Sequence, residues 1–220
     1  MTSWTGTSKI AGLLLAALLA SPGQASPADD AEALVRKPWI EGIPHEVGAA
    51  LPLEACPRLL ELLADPAESA AHANVVLALG MAECPGAYAA LADLSRTTGP
   101  VDRETYRALR TIPHAMGFLA AQDSRALVWL DARSRGASAP AWSFRNHQGP
   151  ALADAERRRA ATGLAFSGRP EALRTLEDLA ASPDPGVRAA ASDALGLADR
   201  IRAEGAREVL DAPEARGVVR

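Results

Sequence analysis

The apolar positions of residues 162–196 fall into two short helical stripes separated by a Pro/Asp/Gly break. Ala172, Leu173, Leu176, Leu179 and Ala180 lie at i, i+1, i+4, i+7 and i+8, one face of a helix. Beyond the break SPDPG, Val187, Ala190, Ala191, Ala194 and Leu195 follow at i, i+3, i+4, i+7 and i+8. Each predicted helix is about three turns long, too short to persist alone in water. The alanines of the second helix admit a close neighbour. The pattern predicts a helical hairpin that stacks against others of its kind.

Copies of that hairpin recur along the chain. ALGMAECPGAYAAL (78–91) aligns without a gap on GLAFSGRPEALRTL (163–176), matching the small–Leu–small start, the Pro, an Ala and the final Leu. AMGFLAAQDSRALVWL (115–130) is the same with two residues added, and ALGLADRIRAEGAREVL (194–210) with three. The starts at Ala78, Ala115, Gly163 and Ala194 are 37, 48 and 31 residues apart, a repeat period with insertions. The first unit pairs the stripe Cys56, Leu59, Leu60 and Leu63 with AHANVVLALG. The second runs from Gly86 to about Ala120, and Pro113 in its second helix removes a backbone donor and predicts a kink. The third joins SRALVWLDARS to ALADAERRRAATGLAFS through a long loop at 135–150, and the fourth is the opening stretch.

The segment DPGVRAAASDALG resembles the second helix of a HEAT repeat, and GLAFSGRPEALRTL resembles the turn into the next repeat. The resemblance covers residues 52–211. It implies an all-α fold, an α-solenoid of about four HEAT-like helical hairpins. HEAT-like repeats often carry an Asp–Arg ladder between units, so the resemblance makes Asp184 and Arg188 structural. It also implies a non-enzymatic scaffold that presents an extended surface to a protein partner. A narrower similarity to the repeats of phycobilin lyases implies the alternative, a small-molecule (tetrapyrrole-like) binding or lyase-type protein.

Composition supports the helical reading. Aromatics are only 4% and the apolar 48% is dominated by Ala and Leu, a mixture suited to close-packed helices and not to a β-sandwich. Only Lys9 and Lys37 among the 23 basic residues are lysine, which reads as a high-GC bacterial bias. A net charge of −4 without charged blocks disfavours nucleic acid.

Residues 1–25 read as a signal peptide: Lys9, the run IAGLLLAALLA, and small residues Gly23 and Ala25 before a cleavage point at Ser26. An uncleaved N-terminal anchor is the other reading of the same run. No later stretch is apolar over the length of a membrane span. The expected location is therefore periplasmic or secreted. Residues 26–51 form a capping segment with a short helix near Asp30–Arg36, then a stretch broken by Pro and Gly. Trp39, Ile40 and Ile43 are its candidate plugs for the exposed array end. Residues 212–220 are expected to fray. In an exported protein Cys56 and Cys84, the only cysteines, are candidates for a disulfide across the ends of one hairpin; two buried thiols are the alternative.

Candidate chemistry is sparse. His45, His72, His114 and His147 lie in four separate segments without metal-ligand spacing, and no nucleophile or phosphate-loop motif occurs. No catalytic residue, metal or cofactor is assigned. The loop at 135–150 concentrates Trp142, Phe144, Arg145, Asn146 and His147, residue types that anchor interfaces. It either binds a partner or folds back and plugs the side of the array. Arg157, Arg158 and Arg159 form a run whose side chains diverge around the helix. They are either a solvated surface paired with Asp154 or Glu156, or, with Arg145 and Arg110, an anionic site on the inner surface. The candidate partner-binding set is thus Trp142, Phe144, Arg145, His147, Arg110, His114 and Arg158.

Overall fold

Four helical hairpins follow one another between residues 56 and 204 in a computed structural model that describes residues 26–39, 42–136 and 140–211. Residues 1–25, read above as a signal peptide, Ile40 and the tail 212–220 lie outside the described residues. The first hairpin is α3 (Cys56–Ala64) and α4 (His72–Met81), and the second is α5 (Ala87–Leu94) and α6 (Arg103–Leu119). The third is α7 (Ser124–Ser134) and α8 (Gly149–Phe166), and the fourth is α9 (Pro170–Ala180) and α10 (Pro185–Glu204). Two short helices precede them, α1 (Pro27–Val35) and α2 (His45–Ala49), and α11 (Ala206–Leu210) follows. The fold is all-α, as the periodicity predicts.

Aspartates start many of these helices. Asp102 accepts a hydrogen bond from the Thr105 amide at 2.7 Å, and Asp123 from the Arg125 amide at 2.9 Å. Asp184 accepts from the Gly186 and Val187 amides. Each carboxylate satisfies a backbone donor that the first turn leaves open. Asp184 thus caps its own helix. Arg188 donates to the carbonyls of Ser182 and Pro183, which also belong to its own hairpin. These bonds fasten one interhelical turn, and the charge of Arg157 on α8, in the neighbouring unit, also reaches Asp184.

The second helices α4, α6, α8 and α10 stack side by side into one row, with α3, α5, α7 and α9 layered against them. The repeated small residues explain how the row closes. A Cβ built on Gly80 would stand 2.5 Å from the Ala115 Cα, and one on Gly117 would stand 2.5 Å from the Gly163 carbonyl oxygen. The third position of one copy thus meets the first position of the next. The corresponding next pair, Ala165 and Ala194, is buried. Gly196, third position of the last copy, has nothing within 4 Å of its Cβ position. α6 passes through Pro113 as one helix, and the Pro113 carbonyl lies against Gly163, where a Cβ would approach it to 2.3 Å.

The α5–α6 link at 96–101 and the long loop meet on one edge. Gly99–Pro100 pairs in parallel with Trp142–Ser143, through the Gly99 amide to Ala141 O and the Val101 amide to Ser143 O, both 2.9 Å. At the other end Cys56 and Cys84 are bonded, with their Cα atoms 5.4 Å apart. Cys56 opens α3 and Cys84 lies just past the end of α4, so the bond joins neighbouring ends of one hairpin. Buried Asn74 on α4 donates to the carbonyls of Val35 and Lys37 and pins the end of α1 to the array. Trp39 donates its indole N–H to the Leu34 carbonyl, and Ile43 is buried, so both take part in closing this end. Among the described residues no helix is long and apolar enough to cross a membrane.

Candidate binding sites

The inner face of the row is written in the positions that flank each repeat start. One residue before the starts stand Leu77, His114, Thr162 and Asp193; three residues after them stand Met81, Phe118, Phe166 and Leu197. Spaced by one helical turn, each pair shares a face of its helix. Read along the row, the first series runs from apolar to charged. Five of the six residues in the first three pairs, all but Thr162, build a recess.

Leu77, Met81, His114, Phe118 and Phe166 line a cavity of about 430 Å³, whose near wall is Pro38, Trp39, Gly42, Ile43 and Pro44. The Phe118 and Phe166 rings stack with centroids 5.1 Å apart, and His114 tilts against Phe166 at 5.4 Å. Across the mouth the start of α2 meets the end of α11. The Asp211 carboxylate accepts from the amides of His45 at 2.6 Å and Glu46 at 3.0 Å, the open donors at the start of α2. Arg207 on α11 pairs with Glu46 at 2.6 Å. The His45 ring tilts against Phe118 at 5.3 Å, and its Nδ1 is buried without a hydrogen-bond partner among the described residues. Burial pulls the His45 pKa below the ordinary imidazole value, and the Asp211 carboxylate partly opposes this.

His114 forms the boundary between this cavity and a second recess of about 250 Å³, lined by Arg158, Arg159, Thr162 and Asp193. Only 4% of His114 is exposed. Burial, then the positive charges of Arg159 and Arg110, pull its pKa down to about 3, so the ring is neutral at pH 7. Arg159 pairs with buried Glu156 at 3.0 Å; burial raises the Glu156 carboxyl and the arginines oppose that rise. Arg157 pairs with Asp154. Arg158 is exposed and, among the described residues, forms no ion pair.

The long loop folds back. Trp142 is 4% exposed and meets the Tyr106 ring edge-on at 5.8 Å, and Phe144 stacks on Tyr106 at 4.4 Å. His147 lies 5.2 Å from the same ring, and Arg110 covers Tyr106 at 5.2 Å. Trp142 and Phe144 therefore plug the array's edge, where interface anchors were an expectation. Arg145 is exposed and sits over Phe144. Arg110 and Arg159 are brought together near His114, while Arg145 remains on the plugging loop.

A patch that the sequence reading passed over lies on the first-helix layer. Val128 on α7 is 68% exposed. Arg125 and Trp129 share its helical face; Arg125 covers Tyr88 of α5 at 4.7 Å, and Arg133 covers Trp129 at 4.9 Å. The i, i+3, i+4 spacing of Arg125, Val128 and Trp129 was the available signal. The inner lining had its own signal in the large residues Met81, Phe118, Phe166 and Leu197, which close each copy's opening four residues.

The HEAT repeats family matches residues 151–213, the third and fourth second-layer helices and what lies between and after them. Over those residues the chain carries HEAT repeats. The match takes in α8 to α11, and the stacked row extends the same architecture through α4 and α6. HEAT repeats form helical scaffolds that typically mediate protein interactions. No curated protein and no solved structure matches the chain.

Proposed function

We propose that this protein is a non-enzymatic scaffold that works outside the cytoplasm and engages a protein partner through the α5–α7 face. The observation that carries the reading is Val128, a large apolar side chain left in solvent beside arginine-covered Trp129 and Tyr88. Trp, Tyr and Arg are the residues that most often dominate interface energetics, because they combine a large apolar area with a polar handle. The Cys56–Cys84 bond supports an oxidising compartment, and the leader-like run at 1–25 supports export to one. The buried state of Trp142 moves the proposed partner surface away from the 135–150 edge.

The test is site-specific photocross-linking in native envelope and culture fractions. A benzophenone side chain is placed at Val128 and, for comparison, at Leu53, the other large apolar residue exposed among the described residues (58% exposed). A discrete adduct at 128 alone, lost when Trp129→Ala is added, is the expected result. No adduct at 128, or the same adducts at both positions, overturns the reading.

A further inference from the structure

The inner-face cavity lies on the opposite layer from the α5–α7 patch, and the proposed scaffold function makes no use of it. Its size falls within the roughly 300–1,000 Å³ of pockets that hold small organic ligands, and its walls are mostly apolar. Asp211 ties α2 to the end of α11 across the mouth. His45 and Asp211, the residues of that tie, both line the cavity.

Polar groups stand at both ends: His45 and Asp211 at the mouth, and His114 toward the arginine recess. His114 is almost wholly buried, yet no described protein group hydrogen-bonds its ring, and it lines both the apolar cavity and the arginine recess. A neutral imidazole in that position offers one donor and one acceptor to an occupant. Beyond it stand Arg158, which forms no ion pair among the described residues, and the Glu156-paired Arg159. Asp193 faces the same recess, so the cations Arg110, Arg158 and Arg159 are opposed by two carboxylates, Asp193 and Glu156. Within this recess the balance favours an anion, while the Asp211 carboxylate at the cavity's far end is engaged by the His45 and Glu46 amides.

We propose that this cavity binds a small amphipathic organic acid. Its apolar body lies among Leu77, Met81, Phe118 and Phe166, and its carboxylate passes His114 to meet Arg158. The site is a binding site and involves no covalent step.

Decanoate is a suitable probe, with decyltrimethylammonium as its cationic counterpart. Titration calorimetry on the full chain measures affinity, and the methionine methyl resonances locate the site. Met81 lines the cavity, whereas Met116 is fully buried in the core. The expected result is one decanoate per chain, a shift of the Met81 methyl with Met116 unmoved, and much weaker binding of the ammonium probe. Arg158→Glu, at an exposed position that does not support the core, is expected to weaken decanoate about tenfold or more, the loss of one charge-assisted hydrogen bond. His114→Leu should weaken it as well. Absence of decanoate binding, binding without a Met81 shift, or equal binding of the two probes in both the wild type and Arg158→Glu overturns the proposal. None of these outcomes bears on cross-linking at Val128.

Discussion

His114 shows how neighbours set the chemistry of a single side chain, and the effect has a measurable sign. Its folded pKa, drawn down to about 3, lies below the value of about 6.5 that it regains on unfolding. As pH falls through that interval the unfolded chain takes up a proton that the folded protein refuses. Stability is therefore fully present above about 6.5 and declines as pH falls, with a limiting slope of about 1.4 kcal/mol per pH unit for one such group. Glu156 acts in the opposite sense: its raised carboxyl takes a proton before its unfolded counterpart does. Comparing the wild type with His114→Leu cancels the Glu156 contribution. Urea unfolding should show the wild type losing roughly 2 kcal/mol more than the variant between pH 7 and pH 5. Parallel losses would mean that the imidazole is not buried neutral. Nothing in the sequence around His114 foretold this environment, because Phe166 and Arg159 reach it from another helix. The cysteine pair was more legible: two half-cystines at adjoining ends of one hairpin need only the hairpin to be right. Thiol titration of the denatured, non-reduced protein should find no free thiol, and the Cys56→Ser/Cys84→Ser variant should lose roughly 3–4 kcal/mol on the chain-entropy account.

At the scale of the element, the repeat alignment carried most of the fold. Its small–Leu–small start recurs because consecutive second helices touch backbone to backbone, Gly80 against Ala115 and Gly117 against Gly163. This distinguishes two glycines that look alike in sequence. Gly163→Ala would place a methyl 2.3 Å from the Pro113 carbonyl and 2.8 Å from Leu130 Cδ2, so the row must spread. Overpacking of this kind costs about 1–3 kcal/mol, more than the alanine gains in helix propensity. Gly196→Ala meets nothing within 4 Å and keeps only that propensity gain, about 0.5–1 kcal/mol of stabilisation. Thermal unfolding of the two variants should shift in opposite directions; shifts of the same sign would contradict the packing of the row. The long loop was harder to read. Trp142 and Phe144 have the composition of an interface, and only the tertiary position of Tyr106, 36 residues earlier than Trp142, decides that they are covered. The inner lining was legible in principle, since Met81, Phe118 and Phe166 hold equivalent repeat positions, but the large residue after a small–x–small run reads equally well as core.

A short solenoid has two ends, and in this molecule they meet. Stacked repeats depend on nearest neighbours, so an array of four hairpins would ordinarily leave its first and last units unconnected. Here Asp211, at the end of α11, accepts the two leading amides of α2, and Arg207 reaches Glu46. No local sequence pattern announces a bond between positions 45 and 211, because it depends on the summed rotation of every unit between them. The tie is polar and partly exposed, whereas the row itself rests on buried apolar area. The two should therefore separate under a mild change. Asp211→Ala removes the acceptor of the His45 and Glu46 amides, and Arg207→Ala removes the ion pair. Hydrogen exchange on the double variant should accelerate at His45 and Glu46, while the amides of α6 and α8 retain wild-type protection. Faster exchange throughout α4, α6 and α8 would show instead that the contact between the ends helps to hold the row together, and unchanged exchange at His45 and Glu46 would show that the contact does not persist in solution.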